Sequence, residues 1–76
     1  MTEPVAVPDS VSLSVNGERR SVPAGTTLDT LVAALTAAPS GVAAAVNEAV
    51  VPRGRWSVTA LTGGDRVEVL TAVQGG

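Results

Sequence analysis

The run Val11-Ser12-Leu13-Ser14-Val15 alternates apolar and polar residues without a break, the period-2 signature of a strand with one buried face. Val11, Leu13 and Val15 form the inward set. Asn16-Gly17 follows, a pair suited to a type I′ turn because that turn needs positive φ at both central residues. A second strand is expected over about residues 19–22, ending at Pro23. The period then changes. Leu28, Leu31, Val32 and Leu35 fall at i, i+3, i+4 and i+7, an apolar stripe along one helix face. Ala24-Gly25 turns the chain into this helix, and Thr26 or Thr27 is the expected cap. Thr26 with Asp29 matches a capping residue followed by a first-turn carboxylate. Pro39-Ser40-Gly41 stops the helix.

Val42 to Val46 is a short run of small apolar residues, read as a central strand covered on at least part of both faces. Asn47-Glu48 turns the chain, asparagine tolerating left-handed backbone, and Ala49-Val50-Val51 forms another short strand ended by Pro52. Arg53 to Leu61 is irregular or a single helical turn, with Trp56 the one large side chain available to plug the core edge. Thr62-Gly63-Gly64-Asp65 is a tight turn, Asp65 serving it. The final strand runs from Arg66 to about Ala72, with Val67 and Val69 toward the helix and Glu68 and Leu70 on the opposite face. A right-handed crossover through the helix brings the late strands in beside the first, with the last strand parallel to the first in mid-sheet. The expected fold is α+β, a β-grasp: a mixed four- to five-stranded sheet with one main helix packed across it. Residues 1–10, with Pro4 and Pro8 and no periodic pattern, read as a disordered arm. Residues 11–72 form the domain, and residues 73–76 a flexible tail.

Composition narrows the chemistry. At 76 residues, a chain buries only about 60% of the surface its unfolded form exposes. It has no cysteine and no histidine, which removes Cys-His and Ser-His catalysis, Cys/His zinc sites and the usual proton carrier near neutral pH. Self-contained catalysis is not expected. Five arginines are scattered among seven acids, for a net charge of −2, unlike the basic footprint of a nucleic-acid binder. The apolar runs are far shorter than the roughly 20 residues that span a bilayer, and acidic Glu3 with two prolines does not make a signal peptide. A cytoplasmic protein, monomeric when free, is the expectation. There is no lysine, so no side-chain amine is present for building chains of this protein upon itself.

The sequence closes on Gly75-Gly76 directly after the last apolar run. Two glycines make the thinnest and least restricted tail that a polypeptide can offer. A carboxylate held out on such a tail suits an acyl group that another enzyme must reach and activate. Gly76 is then the reacting residue, and Gly75 the residue that threads a narrow entrance. Leu70, Val73 and Gln74 are candidate partner contacts at the base of the tail and along it.

The stretches Val15-Asn16-Gly17-Glu18, Leu28 to Leu35, Ala45 to Trp56 and Gly64 to Leu70, with the terminal Gly75-Gly76, resemble the ThiS family of thiamine-biosynthesis sulfur carriers, a ubiquitin-like β-grasp group. The resemblance covers about residues 11 to 76. Its most specific part is Asn47-x-x-Val50-Val51-Pro52-Arg53-x-x-Trp56. It implies a carrier rather than an enzyme, with no cofactor of its own. A partner adenylating enzyme of the ubiquitin-activating type would use ATP and Mg²⁺ to convert the Gly76 carboxylate to an acyl-adenylate. Sulfur from a cysteine persulfide donor would then give a thiocarboxylate, and thiazole synthase would take that sulfur for the thiazole ring. Carriers serving molybdopterin or cysteine synthesis share the fold and the Gly-Gly end, and so do protein modifiers that form isopeptide bonds. A bare interaction module is a further reading. The Asn47 to Trp56 stretch favours the thiamine branch.

Overall fold

Both two-residue hairpins are built on left-handed backbone. Ser10–Val15 (β1) and Glu18–Pro23 (β2) pair antiparallel from Ser10↔Pro23 to Val15↔Glu18, and Asn16 (φ 52°) and Gly17 (φ 86°) supply the two positive φ values of the type I′ turn between them. Val42–Val46 (β3) and Ala49–Val51 (β4) repeat the arrangement through Asn47 (φ 53°) and Glu48 (φ 72°). The computed structural model describes residues 10–37 and 41–71; the expected arm and glycine tail lie outside these, apart from Ser10, which opens β1.

The last strand, Arg66–Thr71 (β5), occupies the centre of the five-stranded sheet, whose order is β2-β1-β5-β3-β4. It runs parallel to β1 through Ser14↔Arg66 and Val15↔Val67. It runs antiparallel to β3 from Val42↔Thr71 to Val46↔Val67. The sheet is therefore mixed, with the parallel pair at its middle, as the order of elements predicts.

The single α-helix among the described residues, Leu28–Leu35 (α1), buries Leu28, Leu31 and Val32, while Leu35 is only half-buried against the core. Its cap differs from the expected Thr26/Asp29 pair. Thr27 holds the N-cap position without a side-chain bond to the helix backbone. Its hydroxyl bonds the Asp29 carboxylate, which in turn accepts from the Thr30 N–H. The Thr26 hydroxyl donates backward to the Pro23 carbonyl at 2.6 Å.

Arg53–Val58 forms a 3₁₀ helix (η1) that seats Trp56 in the core, 5% exposed. The indole N–H donates to the Val51 carbonyl at 2.8 Å, so the aromatic body is buried without stranding its one donor. The Arg53 guanidinium lies 5.2 Å from the ring centre. Beyond η1, Leu28 N–H donates to Thr59 O and Leu61 N–H to Thr26 O, which ties the helix start to this segment and buries Leu61. Leu13, Val15, Val22, Ala44, Val67 and Val69 complete the core. β2 begins at Glu18, one residue before the sequence expectation, and includes Pro23.

Candidate functional site

β5 is the last described strand before the glycine pair, and period 2 sorts its side chains. Val67 and Val69 are buried beneath the helix; Glu68 and Leu70 point to the other side of the sheet. Leu70 is 69% exposed, as the alternation predicts. Register brings apolar neighbours to it. Ala43 pairs with Leu70, and Ala45 lies between Glu68 and Val50. Ala43, Ala45, Val50 and Leu70, with Glu48 and Glu68 at the margin, line a shallow trough of about 310 Å³. Val50 is 76% exposed. Cover on both faces of β3 was expected, and on this outer face Ala43 is exposed and Ala45 only half-buried. On the β1–β2 half, the register aligns Ser12 with Ser21 and Ser14 with Arg19, so the outer face is apolar only beside the tail-bearing strand.

Ala43 and Val50 escaped the sequence reading, although the alternation within β3 and β4 was a signal that could have placed them on the face of Leu70. Gly75, Gly76, Val73 and Gln74 lie outside the described residues. Among the described residues no cluster of His, Cys, Asp or Glu could hold a metal ion, and no helix is long and apolar enough to cross a membrane.

Side-chain amides fasten both turns to β5. At its start the Asn47 carboxamide accepts from Arg66 N–H at 2.9 Å and donates to the Asp65 carboxylate at 3.0 Å. Asp65 also accepts from the Thr62 N–H and hydroxyl. Burial pushes the Asp65 carboxyl up, but these bonds from Thr62 and Asn47 together outweigh it and hold it below its ordinary value. Glu48 and Arg66 add an exposed ion pair at 3.2 Å, which contributes little by itself. Further along, the Asn16 carboxamide accepts from Val69 N–H at 2.9 Å and donates to Val69 O at 3.1 Å.

A helix lying over a mixed five-stranded sheet, with the last strand central and parallel to the first, defines a β-grasp protein. The comparisons with known proteins specify it further: the ThiS family model matches residues 13–76, and this chain belongs to the ThiS family. The crystal structure of a thiamine biosynthesis protein (ThiS) from Geobacter metallireducens superposes with a TM-score of 0.72 at 30% identity, covering 87% of this chain and all of that one. A thiazole synthase from Magnetococcus marinus is 39% identical over 66 residues, which are 87% of this chain. The chain spans only about a fifth of that relative's length, 20%.

Proposed function

We propose that this chain is a sulfur carrier for assembly of the thiazole ring of thiamine. The observation that supports this most is the family match through Gly76 together with a likeness to a 66-residue stretch of a much longer thiazole synthase. A sequence that recurs within the same polypeptide as a synthase is suited to working beside one.

A carboxylate has no leaving group. Joining the Gly76 carboxylate to AMP supplies one and splits a difficult displacement into two easier steps. One carboxylate oxygen attacks the α-phosphorus of ATP, and pyrophosphate departs with Mg²⁺ held by the adenylating enzyme. The terminal sulfur of a cysteine persulfide then attacks the acyl carbon and AMP leaves. A second thiol of the partner machinery then attacks the donor cysteine's sulfur in the resulting acyl disulfide, forming a disulfide with it and releasing the Gly76 thiocarboxylate. The carrier supplies neither acid nor base to these steps; it supplies delivery. Five residues follow Thr71, a reach of at most about 17 Å, so a partner seated on the outer face holds the tail at high effective concentration. The trough around Leu70 is the docking face for that purpose, and Val73 and Gln74, outside the described residues, are further candidates for partner contact. Gly75 threads the entrance, and Gly76 lacks the Cβ that would crowd the attacked carbon.

Deleting Gly75-Gly76 in the host tests this reading. The expected result is a thiamine requirement relieved by supplying the thiazole, with pull-down of the intact chain recovering thiazole synthase. Growth without thiamine, or recovery of the large subunit of molybdopterin synthase in its place, overturns the assignment.

A further inference from the structure

The backbone of β5 is held on two edges. On one side β3 pairs with it as far as Val42↔Thr71. On the other, β1 pairs only through Val15↔Val67 before the chain turns away at Asn16, whose N–H donates to Val67 O at 2.9 Å. The next rung on that edge belongs to Val69, and no strand of this sheet reaches it. Its N–H and C=O are both taken by the Asn16 side chain, 53 residues away in sequence, at 2.9 and 3.1 Å. A carboxamide presents one acceptor and one donor along a single edge, matching the N–H and C=O that extended Val69 turns to that side, so the side chain stands in for one further residue of β1.

We propose that Asn16 is a positioning residue for the carrier tail. Its carboxamide extends two-edged support of β5 by one rung and so fixes the direction in which the last residues leave the sheet. This rests on the carrier reading. Beyond Val69 the described part of the strand is held by β3 alone, so play at Val69 widens the range of positions from which the remaining residues start toward a partner's site. Acyl transfer within a partner's site depends steeply on the alignment of the reacting atoms. The geometry separates this role from the turn. Asn16 has φ 52°, which glycine and aspartate also tolerate, but glycine has no amide to offer. Aspartate would turn a second oxygen toward Val69 O where Asn16 now donates. A residue serving only the turn would be replaceable by either.

The test compares the wild-type chain with Asn16→Gly and Asn16→Asp as substrates of the host's adenylating enzyme. The assay is ATP–pyrophosphate exchange at varied carrier concentration, well below each variant's Tm. Hydrogen exchange at the Val69 amide is followed in parallel. Both variants should lower kcat roughly three- to tenfold and leave KM within about twofold, because Leu70 remains paired with Ala43 and the docking face is kept. Val69 amide protection should fall about tenfold, while protection at Ala44 follows global stability alone. If either variant turns over with the wild-type kcat, or if the loss appears only in KM, Asn16 serves the turn and the inference fails while the carrier reading stands. If the wild-type chain itself supports no exchange, the carrier reading fails, and this inference with it.

Discussion

Leu70→Ala separates docking from folding. Leu70 is 69% exposed on the outer face, beside Ala43 and Val50, so the folded chain draws little stability from it. Surface changes of this kind stay within about 0.5 kcal/mol, and the Tm should hardly move. Fully burying a leucine side chain is worth about 1.5–3 kcal/mol. Roughly two-thirds of that is still to be gained when a partner covers the trough, and alanine retains a part of it. The expected loss of binding is then about 0.7–1.5 kcal/mol, a three- to twelvefold rise in Kd. Calorimetric titration against the adenylating enzyme and against thiazole synthase measures it. Val58→Ala is the matched control, because Val58 is also 69% exposed but does not line the trough. The docking assignment is wrong if Leu70→Ala binds both partners as tightly as the wild type, or if Val58→Ala weakens them equally.

Three further outcomes are expected. Leu28→Ala, at a fully buried position, should cost about 2–5 kcal/mol from a total of about 4–11 kcal/mol for a chain of this length, read as a lower urea midpoint. Glu48→Gly should raise Tm slightly. Glu48 holds φ 72°, which costs a residue bearing a Cβ about 1 kcal/mol, whereas its exposed pairing with Arg66 contributes a few tenths; a fall in Tm would show that the ion pair outweighs the backbone strain. Asp65 has a folded-state pKa below its ordinary 3.8, so it favours the folded chain above the unfolded value and loses that contribution as pH falls through the folded one. Denaturation between neutral pH and pH about 3 should therefore show a wild-type advantage over Asp65→Asn that shrinks at the acid end; a constant gap would refute the linkage.

Features written in short-range periodicity were legible in the sequence. Alternation over Val11 to Val15 and the Asn16-Gly17 pair set the first hairpin, and the stripe from Leu28 to Val32 set the buried face of α1. The same alternation in the last strand turns Leu70 outward. Features that depend on distant partners were not legible. Leu61 is buried because its segment pairs with Thr26, a contact that no local period announces. Between the two expected caps, Thr26 and Thr27, the choice is local: the Thr26 hydroxyl donates to the Pro23 carbonyl three residues back, and Thr27 holds the N-cap. The outer face of β3 was misread because a run of small apolar residues looks the same whether both faces are covered or one. Asn16 was visible as a turn residue, but its bond to Val69 spans 53 positions, and only the topology brings the two together.

The central claim is that the Gly76 acyl group is the cargo. Intact mass of the chain isolated from its native host, with the thiamine pathway running, tests it most directly. Exchange of one carboxylate oxygen for sulfur adds roughly 16 Da, the thiocarboxylate expected of the covalent scheme, and fragmentation should place that gain on Gly76. A chain recovered only at its unmodified mass, or with the gain on another residue, contradicts the account.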